Sequence, residues 1–188
     1  MSQRSDVMEY AIAVYELKSI AKGILAADDA LKTASVKLVS AQPVCPGKFE
    51  LVLAGQLAEI QASGERIARG MGEYLIDSIC LGRVDKSVVQ ALMGSQPQTE
   101  PGALGVIETF TVASAIMAAD CAVKSANVQI LELRAARGIA GKGYVLFTGD
   151  VADVSAAIEA GSNYAKEQAT FIASTLIAAP HSDLWTFL

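Results

Sequence analysis

The chain repeats itself, and no other feature of the sequence constrains its fold so tightly. The segment "AVYELKSIAKGILAADDALKTASVKL", beginning at Ala13, returns as "GVIETFTVASAIMAADCAVKSANVQI", beginning at Gly105. Val14, Glu16, Ala21, Ile24, Ala26, Ala27, Asp28, Ala30, Lys32, Ala34 and Val36 recur as Val106, Glu108, Ala113, Ile116, Ala118, Ala119, Asp120, Ala122, Lys124, Ala126 and Val128. Shared helix propensity could produce a few alanine matches, but not Glu, Asp and Lys together at one fixed offset. A repeat of this length is a duplicated domain. The 188 residues therefore divide into two small domains, each with a modest core. The register then slips by two residues, since Gly47, Lys48 and Gly55 correspond to Gly141, Lys142 and Gly149, and the extra residues fall in the loop "RAARGIAGKG". Between the copies runs "GSQPQTEPG", a stretch of turn formers and polar residues that reads as an exposed linker. The boundary is placed there: residues 1–97 form the first domain with a short N-terminal extension, and 98–188 the second.

Both copies carry the same order of elements. In the first, "YAIAVYEL" alternates as a strand does, and Ser19 caps a helix on which Ile20, Ile24, Ala27, Leu31 and Ala34 share a face and are expected to form its core stripe. The strands "VKLVSAQ" and "FELVLAG" follow, separated by "PVCPGK". A helix from Leu57 to about Tyr74, the strand "LIDSICL" and a short helix opened by Asp85 complete the copy. The second copy repeats this, with Thr111 as helix cap, strands near Val128 to Ala135 and Tyr144 to Gly149, and a helix after Asp150. The order is β-α-β-β-α-β, which predicts an α+β fold of two tandem ferredoxin-like domains. Ala26 and Ala30, with Ala118 and Ala122, lie outside the expected stripe, so the first helix of each copy carries small apolar residues on more than one face. In so small a domain that pattern points to subunit contacts.

Charge and patterning narrow the function. A net charge of -5 without a Lys/Arg run offers no footprint for a phosphate backbone, so nucleic acid is not an expected partner. No stretch approaches the roughly 20 apolar residues of a spanning helix. Arg4, Asp6 and Glu9 stand where a signal peptide would be apolar, so the expected compartment is the cytoplasm. The loop "RGIAGKGY" does not make a phosphate-binding loop, because its spacing is wrong and no Ser/Thr follows Lys142. No acid/base pair, nucleophile with a base, or ligand cluster stands within a single copy, so an enzyme is not expected. Cys45, Cys80 and Cys121 lie far apart with no CxxC pair, which writes neither a disulfide framework nor a single-chain zinc site. Cys80 and Cys121, in a strand and a helix, are expected to be small buried apolar residues without a role.

A domain of this order whose first strand ends in "VIE" and whose first helix reads "AADxAxKxAxV" resembles the bacterial microcompartment shell domain. Its double occurrence, from Tyr10 to Leu188, resembles the tandem-domain, unpermuted class of shell proteins. The resemblance implies a structural wall protein, with three chains forming a homotrimeric, pseudohexameric tile alongside other shell proteins. Within that class, "PVCPGKFELVL" and "PHSDLW" are similar to the propanediol-utilisation members, which are known for an iron-sulfur cluster held on the trimer axis by one cysteine per subunit. The matching cysteine is Cys45. The resemblance thus implies one cluster per trimer, of 4Fe-4S type, with Cys45 as its cofactor and metal ligand and a redox enzyme or electron carrier as partner.

The residues make such a cluster chemically reasonable, since iron-sulfur clusters take thiolate ligands. Pro43 and Pro46 stiffen the loop, Gly47 permits close backbone approach, and Lys48 brings positive charge toward a thiol that must lose its proton. By family geometry Gly141 and Lys142, with Arg134 and Arg137, lie near the tile's centre. Lys32 and Lys124 match the family's edge lysine, at the seam between tiles. The edge arginine is matched less well: Ala179 stands at its place in the second copy, Arg83 lies nearby in the first, and His181 belongs to the same edge. Two other readings stay open, a tile whose centre is a selective metabolite pore with Cys45 incidental, and a soluble enzyme or sensor.

Overall fold

A computed structural model describes residues 11–94, 101–135 and 140–186. The domain boundary at 97/98 lies outside them. The first copy contains β1 (Ala11–Leu17), α1 (Ile20–Thr33), β2 (Lys37–Val44), β3 (Lys48–Gly55), α2 (Leu57–Met71), β4 (Leu75–Leu81) and α3 (Lys86–Leu92). The second contains β5 (Ala103–Thr109), α4 (Val112–Ser125), β6 (Gln129–Ala135), β7 (Gly143–Gly149), α5 (Val151–Glu167), β8 (Phe171–Ile177) and α6 (Ser182–Trp185). The two sheets have matching orders, β2-β3-β1-β4 and β6-β7-β5-β8, with every pair antiparallel. Two tandem ferredoxin-like domains result, as the pattern predicts. The caps are also as expected: the Ser19 side chain accepts from the Lys22 amide, Thr111 from Ser114 and Asp85 from Ser87. The second helix ends earlier than predicted, at Met71, because Gly72–Tyr74 tighten into a 3-10 turn before β4.

The strand pairings verify the slip in register. Glu50 stands opposite Glu16 in the first copy and Tyr144 opposite Glu108 in the second, so the slip has already happened before β7. Pro43 pairs with Phe49 and Ala135 with Gly143, which confines the two additional residues to the β6–β7 loop.

The expected core stripe of α1 is not the one the fold uses. Gly23, Ala26, Ala27 and Ala30 are buried, whereas Ile20, Ile24 and Leu31 are exposed. The small residues are chosen because the helix lies close on its sheet. A Cβ on Gly23 would fall 2.2 Å from Cγ of Phe49, so the ring on β3 occupies the space a side chain would need. The second copy solves the same contact with the sizes reversed, placing Ala115 at the position of Gly23 and Gly143 at that of Phe49. Here a Cβ on Gly143 would fall 2.6 Å from the Ala115 methyl. The larger side chain moves from strand to helix while the contact stays filled, as close packing requires.

The two copies pack as layers, and their joint is built on α4. Alternate residues of β1 (Ala11, Ala13, Tyr15, Leu17) face α1 and α2 and form one core with Leu51, Leu53, Ile60 and Ile67. The opposite face of that sheet (Ile12, Val14, Val52, Leu81) merges with the second domain's core, including Ala113 and Ile116. Helix α4 is thus covered on both sides, by its own sheet and by the outer face of the first. Polar contacts pin the joint: the Ala113 amide donates to Glu16 Oε1 (3.1 Å), Thr111 Oγ1 to Asp77 Oδ2 (2.6 Å) and the Asp85 amide to Asp120 Oδ1 (2.8 Å). Helix α1 has a matching apolar surface, and none of the described residues covers it. Ile116 is 0% exposed and its counterpart Ile24 is 59% exposed.

Candidate functional site

Both hairpin tips, Cys45–Gly47 and the loop before Gly143, lie at the sheet end where β1 and β5 finish, since Leu17 pairs with Phe49 and Thr109 with Gly143. Val44 and Lys48 close the first hairpin, leaving Cys45, Pro46 and Gly47 as its turn. Gly47 takes φ +80° and the Cys45–Pro46 peptide is cis. The Cys45 thiol is free and exposed.

The second copy's loop presses against this turn. Gly141 has φ +84°, and a Cβ there would sit 2.9 Å from the Cys45 carbonyl oxygen, 3.1 Å from Pro46 Cδ and 3.2 Å from Lys48 Nζ. Glycine is required both by the dihedral and by the space. The structure thereby brings Cys45, Pro46, Gly47, Lys48 and Gly141 into one cluster, two loops from two domains meeting at one place.

Beneath the turn stands a buried ion pair. Glu16 is fully buried on β1 and faces the N-terminus of α4, where it accepts from the Ala113 amide; Lys48 Nζ lies 3.4 Å from its other oxygen. Burial pushes the Glu16 carboxyl above its ordinary value, opposed by the Ala113 hydrogen bond and the Lys48 charge. The first duty of Lys48 is therefore to Glu16 and not, as its position in the sequence suggests, to the thiol. The second copy repeats the pair at Lys142 and Glu108, 3.0 Å apart, and here both side chains are partly exposed because no helix N-terminus covers them. Glu16 and Glu108, which stand beneath the two loops, are residues of the candidate site that sequence reasoning missed. Their signal is present, since each ends its "VYE" or "VIE" strand, but in the sequence it serves only to align the copies.

Glu50 stands opposite Glu16. Its Oε1 accepts from Ser40 (2.7 Å) and Gln42 (3.3 Å), while its buried Oε2 has no partner among the described residues. In the second copy Tyr144 takes this position and donates to Glu132 (2.6 Å); burial, and then that hydrogen bond, raise its hydroxyl to about 12.

The remaining expected residues are spread around the molecule. Arg134 pairs with Glu132 (2.6 Å) and lies over the Tyr144 ring, while Arg137 falls outside the described residues. Lys124 bridges the domain joint, bonding the Arg83 carbonyl oxygen (2.5 Å) and Asp120. Lys32 is exposed and paired with Asp28 at 2.5 Å. Exposed His181 caps α6, its Nδ1 accepting from the Asp183 amide. Cys80 and Cys121 correct the expectation of burial: Cys80 is exposed on the edge strand β4 and Cys121 is half-buried on α4. Both thiols are pushed up by the burial they do have. Among the described residues no group of three His, Cys, Asp or Glu side chains could hold a metal within one chain, and no helix is long and apolar enough to cross a membrane.

Two sheet domains of matching topology, packed together through α4, define a tandem-domain protein. Comparison with known proteins specifies which. The BMC domain model matches residues 11–84 and again 103–180, and the chain belongs to this family of bacterial microcompartment shell domains. It is 40% identical to the bacterial microcompartment shell protein PduT of Citrobacter freundii, over 95% of this chain and 97% of that one. The shell protein PduA of the same organism is 39% identical over 44% of this chain and 86% of its own length, as befits a relative that matches one copy. A crystal structure of a microcompartments protein from Desulfitobacterium hafniense DCB superposes with a TM-score of 0.88 at 40% identity, covering 94% of this chain and 98% of that one. The chain is thus a structural shell protein of the PduT type.

Proposed function

We propose that three copies of this chain close into a pseudohexameric tile of a microcompartment shell in the cytoplasm, with the Cys45 turns meeting at its centre to hold one iron-sulfur cluster, of 4Fe-4S type, that passes electrons across the wall. The observation that carries the reading is the difference between α4 and α1. Inside the chain, α4 lies across the first sheet; α1 offers the equivalent surface uncovered, and the second sheet offers an uncovered Glu108–Lys142 pair where the first has Glu16–Lys48. Repeating the internal joint between chains is a heterologous contact, which makes a closed ring when its rotation closes. In that contact Glu108 would accept from the Ala21 amide of the next copy, as Glu16 does from Ala113.

The donor set suits a cluster shared between chains. Each chain contributes one exposed thiol at the hairpin tip, and its other cysteines stand on β4 and α4. Thiolate is the ligand such clusters take, and three chains supply three, leaving one iron of a cubane to water or a small ligand. When bound, the cluster supplies a one-electron centre. The chain's own residues shape its seat: Pro46 and Gly47 form the turn, Gly141 lets the second loop close on the Cys45 carbonyl, and the two Lys–Glu pairs keep both lysine charges compensated. Other shell proteins are the lateral partners in this reading, with Lys32, Lys124, Arg83 and His181 at the edge, and a redox enzyme or electron carrier is the axial one.

A metabolite pore without a cluster is the second reading. It is favoured by Lys142, whose side chain is 42% exposed beside the loops and would line a path for anionic solutes. Anaerobic reconstitution with iron and sulfide, metal analysis and electron paramagnetic resonance separate the two. One cluster per three chains, lost in Cys45→Ser while the trimer persists, is expected; an iron-free trimer, or an unchanged signal from Cys45→Ser, refutes the cluster.

A further inference from the structure

The two copies serve as controls for one another, and they differ at a groove in the first. Between α2 and the edge strand β4 lies an open pocket of about 460 Å³, walled by Tyr15, Ile60, Gly64, Ala68, Leu75 and Cys80. That volume is within the range of small-molecule sites. Helix α2 covers the β1–β4 half of the sheet and α1 the β3–β2 half, so the groove lies on the α2 side of the domain.

Three residues make the groove, and the second copy replaces each by a larger or more apolar one. Tyr15 aligns with Ile107 and Cys80 with Leu176 through the paired strands. Gln56 and Asp150 are both helix N-caps, so Gly64 on α2 aligns with Ile158 on α5. Ile107, Ile158 and Leu176 are the fully aliphatic solution for this place in the fold. The first copy instead has a tyrosine whose hydroxyl reaches over a glycine: a Cβ on Gly64 would lie 2.6 Å from Tyr15 Oη. Tyr15 is only 6% exposed, yet its hydroxyl makes no hydrogen bond to any described residue and lines the groove beside the exposed Cys80 thiol. The hydroxyl is reached from the open groove and is free to donate to a molecule held there.

We propose that this groove binds a small uncharged molecule with an apolar body and a carbonyl or hydroxyl oxygen that accepts a hydrogen bond from Tyr15, with the Cys80 thiol on the wall of the site. Ile60, Ala68 and Leu75 supply the apolar contact and the Tyr15 hydroxyl supplies the orientation, while Gln61, Glu65 and Ser78 also line the groove. Burial, and then the neighbouring Cys80, raise the Tyr15 hydroxyl to about 12, so it remains a donor across the physiological range. The proposal does not depend on the cluster or on the oligomeric state.

Cyclohexanone is a suitable probe, tested on the full chain by saturation-transfer NMR and by the rate at which N-ethylmaleimide modifies Cys80, read by peptide mass spectrometry. Affinity on the order of millimolar is expected for a ligand of this size. Saturating ketone should slow Cys80 modification several-fold while leaving Cys45 unaffected. Tyr15→Phe, which removes only the oxygen, should weaken binding about tenfold. Cys80→Leu, the second copy's residue, should abolish the NMR signal by filling the groove. Equal binding by wild type and Tyr15→Phe overturns the proposal, as do unprotected Cys80 and an NMR signal that survives in Cys80→Leu.

Discussion

Replacing Ile24 by Asp tests the reasoning that places α1 at a chain-to-chain joint. Ile24 and Ile116 are the same residue at the same place in the two copies, and they differ only in what covers them: 59% exposed in one case and 0% in the other. Burying the exposed part of an isoleucine, on the order of 80 Å² of apolar surface, contributes about 2 kcal/mol. A closed trimer has three such joints, so about 6 kcal/mol of its association rests on this residue. A carboxylate put in its place would lose that term and be buried without a partner, at roughly 3–5 kcal/mol per joint. Ile24→Asp should therefore give a monomer at micromolar concentration, seen by multi-angle light scattering, with far-UV circular dichroism unchanged and the monomer still unfolding cooperatively. Ile116→Asp should fail to fold at all, because the same carboxylate would lie between the two sheets of one chain. A trimer that survives Ile24→Asp refutes the repeated joint, and a well-folded Ile116→Asp refutes the enclosure of α4.

Three further outcomes follow from particular geometry. Gly141→Ala forces a left-handed φ on alanine and drives its methyl into the Cys45 carbonyl oxygen; thermal unfolding should register a loss of about 1–3 kcal/mol, together with a lower yield of reconstituted cluster. Gly23→Ala places a methyl inside the Phe49 ring and should cost about 1–3 kcal/mol in urea unfolding, an effect that Phe49→Leu in the same chain should partly relieve. The buried Glu16 has a folded-state value raised above the ordinary 4.5, so its contribution to stability is fully present below that value and is lost as pH rises through the higher folded one. Melting temperatures between pH 4 and 7 should accordingly fall more steeply with rising pH in wild type than in Glu16→Gln, and parallel curves would show that this carboxyl titrates as it does in the unfolded chain.

How much of this is legible in the sequence depends on which interaction each element answers to. Strand and helix identities, their caps and the β-α-β-β-α-β order are set by short-range patterning, and Ser19, Asp85 and Thr111 all cap where the pattern puts them. Periodicity misreads the helix face of α1 for a physical reason. It sorts residues into stripes by hydrophobicity, and the larger stripe of Ile20, Ile24 and Leu31 outweighs alanines on any such scale. Close packing reverses the choice, since only Gly23 and its neighbouring alanines let the helix down onto Phe49. Cys80 departs from expectation in a similar way, because a strand residue faces into a core or out at an edge according to where its strand lies in the sheet, and β4 is an edge.

The sequence by itself determined that this protein is one domain written twice, with a lone cysteine in the first copy's hairpin turn and glycines in the second's. A repeat is a comparison of the chain with itself and needs no coordinates. Only the tertiary structure decided that the copies are unequal, with α4 enclosed and α1 open, Glu16 sealed beneath a helix N-terminus and Glu108 left facing outward. The two helices have nearly the same residues, and what distinguishes them is the surface laid against each, which depends on how two folded domains pack and not on either helix's own pattern.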